Sequence, residues 1–251
     1  MGDYMYNQEK DMSKDRFTTG IGGLDTMLYG GVPINNQVII AGGPGSGKTL
    51  MSFEICYNSA KAGKPAVFLA LEESPEAVIK NAKEAFPDFK DIDDLIAKKM
   101  LYVDGEGSSN KLQQESDSSK YIFGNMVADI EGILSEYNAK CLVIDSISLI
   151  KLMLEDELSY RRSMISLVSN LRRLDVTSFL TVEMPSSERK DLKFTPEFYI
   201  FDGIITMYQT GQEDKRTLAI EVVKMRGTNH SWVLSPYEIE SGGFKVFTIE
   251  E

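Results

Sequence analysis

Short, nearly unbroken apolar runs separated by longer amphipathic stretches set the rhythm of the first two thirds of the chain. Val38-Ile39-Ile40-Ala41, Ala66-Val67-Phe68-Leu69-Ala70-Leu71, Met100-Leu101-Tyr102-Val103, Cys141-Leu142-Val143-Ile144 and Val176 to Val182 read as strands buried on both faces. Between them the pattern predicts helices. One runs from Thr49 to about Ala62 and stops at Gly63; another opens with Ser74 as N-cap and Pro75 in the first turn. Further helices are expected around Asp91 to Lys99, from Tyr121 to Tyr137 and from Leu158 to Leu174. Strand and helix in alternation call for a parallel sheet covered on both faces.

After Phe198 the rhythm changes. Ile204 to Tyr208 and Leu218 to Val223, joined by a polar turn at Gly211 to Lys215, read as an antiparallel hairpin. Two short strands near Tyr237-Glu238-Ile239 and Phe244 to Ile249 follow. Three segments lack a periodic apolar pattern: a polar tail at 1–15, a glycine-rich turn from Thr18 to Asp25, and a polar loop from Gly105 to Lys120. With no internal repeat and no linker, residues 16–251 are expected to form one α/β domain behind a flexible tail. Its expected architecture is a central, mostly parallel sheet with flanking helices and a C-terminal antiparallel hairpin.

Composition narrows the function. A chain of 251 residues, 42% of them hydrophobic, can bury one substantial core. No apolar run is long enough to cross a bilayer and the first residues are not signal-like, so a cytoplasmic protein without membrane insertion is expected. The formal net charge of −11 works against a broad nucleic-acid surface. The single histidine, His230, leaves no material for a histidine metal site, and Cys56 and Cys141, without metal-ligand spacing, are expected to be buried thiols.

One stretch carries explicit chemistry. Gly42-Gly43-Pro44-Gly45-Ser46-Gly47-Lys48-Thr49 fills the complete phosphate-loop (Walker A) pattern between a strand and a helix. Gly43, Gly45, Ser46, Gly47, Lys48, Thr49 and Leu50 are the expected nucleotide-binding residues. Glycines let backbone N–H groups turn onto the phosphates, Lys48 reaches the β- and γ-phosphates, and the Thr49 hydroxyl holds Mg²⁺. Asp145, where an apolar strand leaves the sheet, is expected to hold the same Mg²⁺ through water, with Ser146 on the metal's water shell or the γ-phosphate. Glu72 and Glu73 follow the strand ending at Leu71, where ligands gather in open α/β sheets. They are the expected water-activating acids, Glu72 as principal base and Glu73 in support, with their order open. Glu183, on the same edge, is either a γ-phosphate sensor or a loop stabiliser. Lys224-Met225-Arg226-Gly227-Thr228-Asn229-His230 is a dense basic stretch whose alternation puts Lys224 and Arg226 on one face. From composition alone it reads as an exposed strand end with salt bridges.

From about Phe17 to Glu251 the chain resembles the KaiC-like ATPases, a branch of the RecA superfamily. The resemblance rests on Thr19 to Asp25, the phosphate loop, Glu72-Glu73-Ser74-Pro75 with Ile79 to Ala82, Val143-Ile144-Asp145-Ser146, and Lys224 to His230. It implies a RecA-like P-loop fold, ATP and Mg²⁺ as ligands, and a homo-oligomer, often a six-membered ring, with ATP bound between neighbours. In that arrangement Lys224, Met225, Arg226, Thr228 and His230 contact the nucleotide of the next subunit, with Glu240-Ser241 nearby. A cation supplied in trans stabilises charge on the transferred phosphoryl group. Clock members of the family carry two such domains in tandem, and their autophosphorylating half has a Ser-Thr pair where this chain has Glu197-Phe198. The resemblance therefore implies slow ATP hydrolysis as a switch for an unidentified protein partner, without autokinase activity.

Two other functions share the core. One is a recombination accessory of the RecA/RadA type, with Arg189, Lys190 and Lys193 in the loop from Met184 to Pro196 meeting single-stranded DNA. The other is a nucleotide-sensing scaffold with little hydrolysis, against which the presence of both Glu72 and Glu73 argues.

Overall fold

Polypeptide order along the main sheet places the phosphate-loop strand in its middle. The computed structural model describes residues 16–105, 119–154, 156–191, 194–212 and 215–248. The tail expected at 1–15, most of the polar loop expected at 105–120 and the last residues of the chain lie outside them. The strands are β1 (Arg16–Phe17), β2 (Val32–Pro33), β3 (Gln37–Gly42), β4 (Ala66–Ala70), β5 (Leu101–Asp104) and β6 (Cys141–Asp145). They continue with β7 (Thr177–Glu183), β8 (Gly203–Gln212), β9 (Lys215–Met225), β10 (Ser235–Glu240) and β11 (Gly243–Val246). The helices are α1 (Gly22–Met27), α2 (Lys48–Lys61), α3 (Pro75–Ala85), α4 (Ile92–Ala97), α5 (Ser119–Tyr137), α6 (Ser148–Met153) and α7 (Glu157–Arg173).

The nine-stranded sheet runs β11-β10-β9-β8-β3-β7-β6-β4-β5, and β1 pairs with β2 apart from it. Strands β3 to β8 are mutually parallel, whereas β9, β10 and β11 are joined antiparallel. This is the α/β arrangement with a C-terminal antiparallel hairpin that the apolar pattern predicts, and it fits the RecA-like fold that the resemblance implies. Alternation along β3 divides the core in two: Val38 and Ile40 pack with Phe53 and Ile55 of α2, while Ile39 and Ala41 pack with Met164, Leu167 and Leu171 of α7. A sheet covered by helices on both sides needs strands apolar on both faces, and β3 is fully buried along its length. No helix among the described residues is long and apolar enough to cross a membrane.

Three local differences have physical causes. The glycine-rich stretch expected as a turn contains α1, because Ile21, Leu24, Met27 and Leu28 lie at helical spacing and are all buried. The turn before it is tied by Asp25, whose carboxylate accepts from the Thr19 and Gly20 N–H groups at 2.8 and 3.0 Å. The hairpin ladder continues to the Gln212–Lys215 pair, so β8 and β9 are longer and their turn shorter than the polar composition suggests. Helix α6, too short to show a periodic signal, follows β6 directly. Cys56 and Cys141 are both free and buried, as expected.

Candidate functional site

The phosphate loop bridges β3 and α2. Gly45 and Gly47 have φ of 72° and 87°, a left-handed conformation that costs glycine nothing and other residues much. No side chain caps α2, which leaves its N-terminal end open to an anion. Gly43 is fixed by crowding: a Cβ there would stand 2.0 Å from Ser187 Oγ. Ser46 Oγ and Lys48 Nζ donate to the Gly43 carbonyl at 2.9 and 3.1 Å, shaping the loop from within. Sequence reasoning missed two further supports. The Gln209 amide at the far end of β8 donates to Pro44 O at 3.0 Å, and the buried Tyr237 hydroxyl donates to Ser46 O. Both come from segments more than 150 residues away in the chain, whose strand pattern gives no hint of the loop.

Carboxylates from three neighbouring strand ends converge on Lys48. Burial lowers its pKa, and the charges of Glu183, Asp145 and Glu72 oppose that fall. Asp145 closes β6 and is buried, which raises its carboxyl above the usual range. Hydrogen bonds from Thr181 and Thr49 work against that rise, and the Glu72 charge adds to it. Thr181, on β7, is a third residue the sequence did not single out. A Thr49 hydroxyl beside a strand-end carboxylate is a hard-oxygen donor pair, which fits Mg²⁺ completed by phosphate oxygens and water.

The two adjacent glutamates point to different neighbours. Pairing of Ala70 with Asp145 brings the residues after β4 beside those after β6, and there Ser146 Oγ donates to Glu72 Oε1 at 2.5 Å. Glu73 instead accepts from Asn81 of α3 at 3.1 Å on the exposed side. Glu183 ends β7, and its backbone N–H donates to Ser148 Oγ at 2.9 Å.

The basic stretch lies at the opposite edge of the sheet. Gly203, the first residue of β8, pairs with Val38 near the start of β3 and with Met225 at the end of β9. The Lys224 ammonium donates to Phe201 O at 2.6 Å, and Arg226 Nη2 to Tyr199 O at 2.9 Å. Arg226 Nη1 lies 3.4 Å from Asp202 Oδ1, the atom that Arg172 Nη2 meets at 2.6 Å. Met225 and His230 are buried, Arg16 holds the Thr228 hydroxyl at 2.6 Å, and Ser241 donates to Asp88 at 2.8 Å. Arg226 is therefore the most exposed cation of this arm, with Lys224 half-buried beside it. Along β3 alone, five residue steps of about 3.3 Å put roughly 16 Å between this edge and the phosphate loop.

Comparison with known proteins agrees with this arrangement. The family model described as "ATPase: KaiC" matches residues 17–251. A UPF0273 protein of Aeropyrum pernix is 32% identical over 235 residues, covering 93% of this chain and 94% of that protein. A UPF0273 protein of Methanopyrus kandleri is 31% identical over 94% of this chain and 93% of its own length. The circadian clock protein KaiC3 of Synechocystis is 29% identical over 94% of this chain, which spans only 46% of that protein.

Proposed function

The chain belongs to the KaiC ATPase family, and from that premise we propose that it binds ATP with Mg²⁺ at its phosphate loop and hydrolyses it slowly, at a site completed by a neighbouring copy. Hydrolysis then serves as a regulatory or assembly switch for a protein partner in the cytoplasm. Nucleotide binding and ATPase chemistry are properties of the family; the intersubunit site is the finer claim.

The observation that carries it is the placement of charge at two edges of one sheet. Three carboxylates, Glu72, Asp145 and Glu183, act on Lys48 at the phosphate end. A triphosphate added there brings more negative charge than Lys48 and one metal ion offset. The missing cations, Lys224 and Arg226, lie at the other edge, out of reach of their own chain's loop. Around that arm the exposed side chains of Tyr199 and Trp232, 66% and 74% accessible, form an apolar rim suited to a second copy of the chain.

In the assembled site the loop N–H groups and Lys48 orient the γ-phosphate. Thr49, and Asp145 through water, would hold Mg²⁺, which would neutralise charge on the phosphate oxygens. Glu72, aimed by Ser146, accepts a proton from the attacking water as its oxygen bonds to the γ-phosphorus and the bond to the β–γ bridging oxygen breaks. Arg226 and Lys224 of the neighbour stabilise the charge on the transferred group, and Thr228 and His230 shape the arm that bears them.

The recombinase alternative is disfavoured by its own loop. Arg189 is ion-paired with Glu221 at 2.9 Å and Lys190 with Glu188 at 2.7 Å, so acids of the same chain compete for these cations, while Lys193 lies outside the described residues. The intersubunit reading is tested by dilution. Turnover per chain should rise with protein concentration in step with an ATP-dependent increase in size on gel filtration; a monomer with full, concentration-independent turnover would refute it.

A further inference from the structure

Asp202, just before β8, is an acid set among the cations Arg172, Lys224 and Arg226. Its side chain is 9% accessible, against 43% for Arg172 and 51% for Arg226. Oδ1 takes the guanidinium groups of Arg172, from the end of α7, and of Arg226, from the basic arm. Oδ2 accepts the Gln37 N–H at 3.1 Å, and the Asp202 N–H donates to Gln37 O at 2.8 Å. The backbone N–H of Arg226 donates to Asp202 O at 2.8 Å. One buried carboxylate therefore ties together the first residue of the phosphate-loop strand, the last turn of α7 and the cation that carries no contact with its own nucleotide site.

We propose that Asp202 is the positioning residue of the cationic arm, holding Arg226, with Lys224 beside it, in the geometry presented to the nucleotide of a neighbouring copy. This rests on the reading that the arm acts in trans. A flexible arginine loses side-chain entropy when it docks on a phosphate, and one already held by a buried acid and by Tyr199 O has given up much of that freedom. The acid also tempers repulsion among three clustered cations. Burial lowers the pKa of Lys224, the charges of Arg226 and Arg172 lower it further, and Asp202 opposes them.

Asp202→Asn keeps the size of the side chain and an acceptor for the Gln37 N–H but removes the charge. It is expected to lower kcat about tenfold or more while KM stays within about twofold. It should also move the alkaline fall in turnover to lower pH, because Lys224 then loses its proton more easily. In a double-mutant cycle measured below the alkaline fall, Asp202→Asn with Arg226→Ala should be no slower than Arg226→Ala alone, since there the acid acts through the arginine. Losses that multiply, or an unchanged kcat for Asp202→Asn, would overturn the positioning role while leaving the trans reading intact. Full turnover by Arg226→Ala would instead strike the trans reading itself. If Asp202→Asn does not fold, Arg226→Lys carries the test: it keeps the charge but not the fork that Asp202 and Tyr199 hold, and wild-type turnover would overturn the proposal.

Discussion

Glu72 and Glu73 are neighbours in sequence and meet different chemistry in the fold. Glu72 is turned toward Ser146, Asp145 and Lys48, whereas Glu73 is turned onto Asn81 of α3. The apolar strand before them showed that both sit at a ligand-bearing edge, but their side-chain directions depend on partners at positions 81 and 146, which the local pattern does not contain. Glu72→Gln should leave ATP binding intact and lower kcat about a hundredfold or more, while Glu73→Gln should cost about tenfold or less. Phosphate-release assays on the two single variants check this; equal losses would remove the assignment of Glu72 as principal base. Thr181 illustrates the same limit. A threonine within a buried strand reads as β-propensity, and its hydrogen bond to Asp145 exists only because β7 lies beside β6.

At the scale of elements, the β10–β11 pair buttresses the phosphate loop. Tyr237 holds Ser46 O, and a Cβ on Gly47 would lie 3.2 Å from Ile239 and from Phe244. Below them Glu54 of α2 is buried and accepts the Phe244 N–H at 2.7 Å. Burial raises its pKa from 4.5 to about 7, against the opposing hydrogen bonds of Phe244 and Asn58. The folded protein thus retains a proton that the unfolded chain has released between about pH 4.5 and 7. The stabilising contribution is complete below that window and is lost as pH rises through it. Glu54→Gln, which still accepts the Phe244 N–H, should raise the melting midpoint by a few degrees at pH 8 and leave it nearly unchanged at pH 4.5. Thermal melts across pH check the sign; a variant less stable at pH 8 would contradict it. The helix and both strands were legible as periodic segments. Their contact was not, because β10 and β11 lie nearly two hundred residues from α2 and join the sheet only through β9.

Across the whole molecule, the sequence made the parallel sheet, the succession of strands and helices along the chain and the phosphate loop readable, since each depends on local spacing. The location of Lys224 and Arg226 at the edge opposite the loop follows from the antiparallel return of β9, and only the assembled sheet makes that distance evident. The resemblance to KaiC-like ATPases implied a trans role for these residues; the fold supplies a physical reason, because a cation on the far edge has no path to its own chain's phosphate. Mixing two impaired variants tests this most directly. Glu72→Gln lacks the base but carries an intact arm, and Arg226→Ala lacks the arm cation but carries an intact phosphate loop. Mixed one to one and allowed to exchange subunits, they should recover about a quarter of wild-type turnover, the share of random interfaces that pair both intact halves. Turnover no greater than that of either variant alone, in particles shown to contain both, would contradict a site shared between copies.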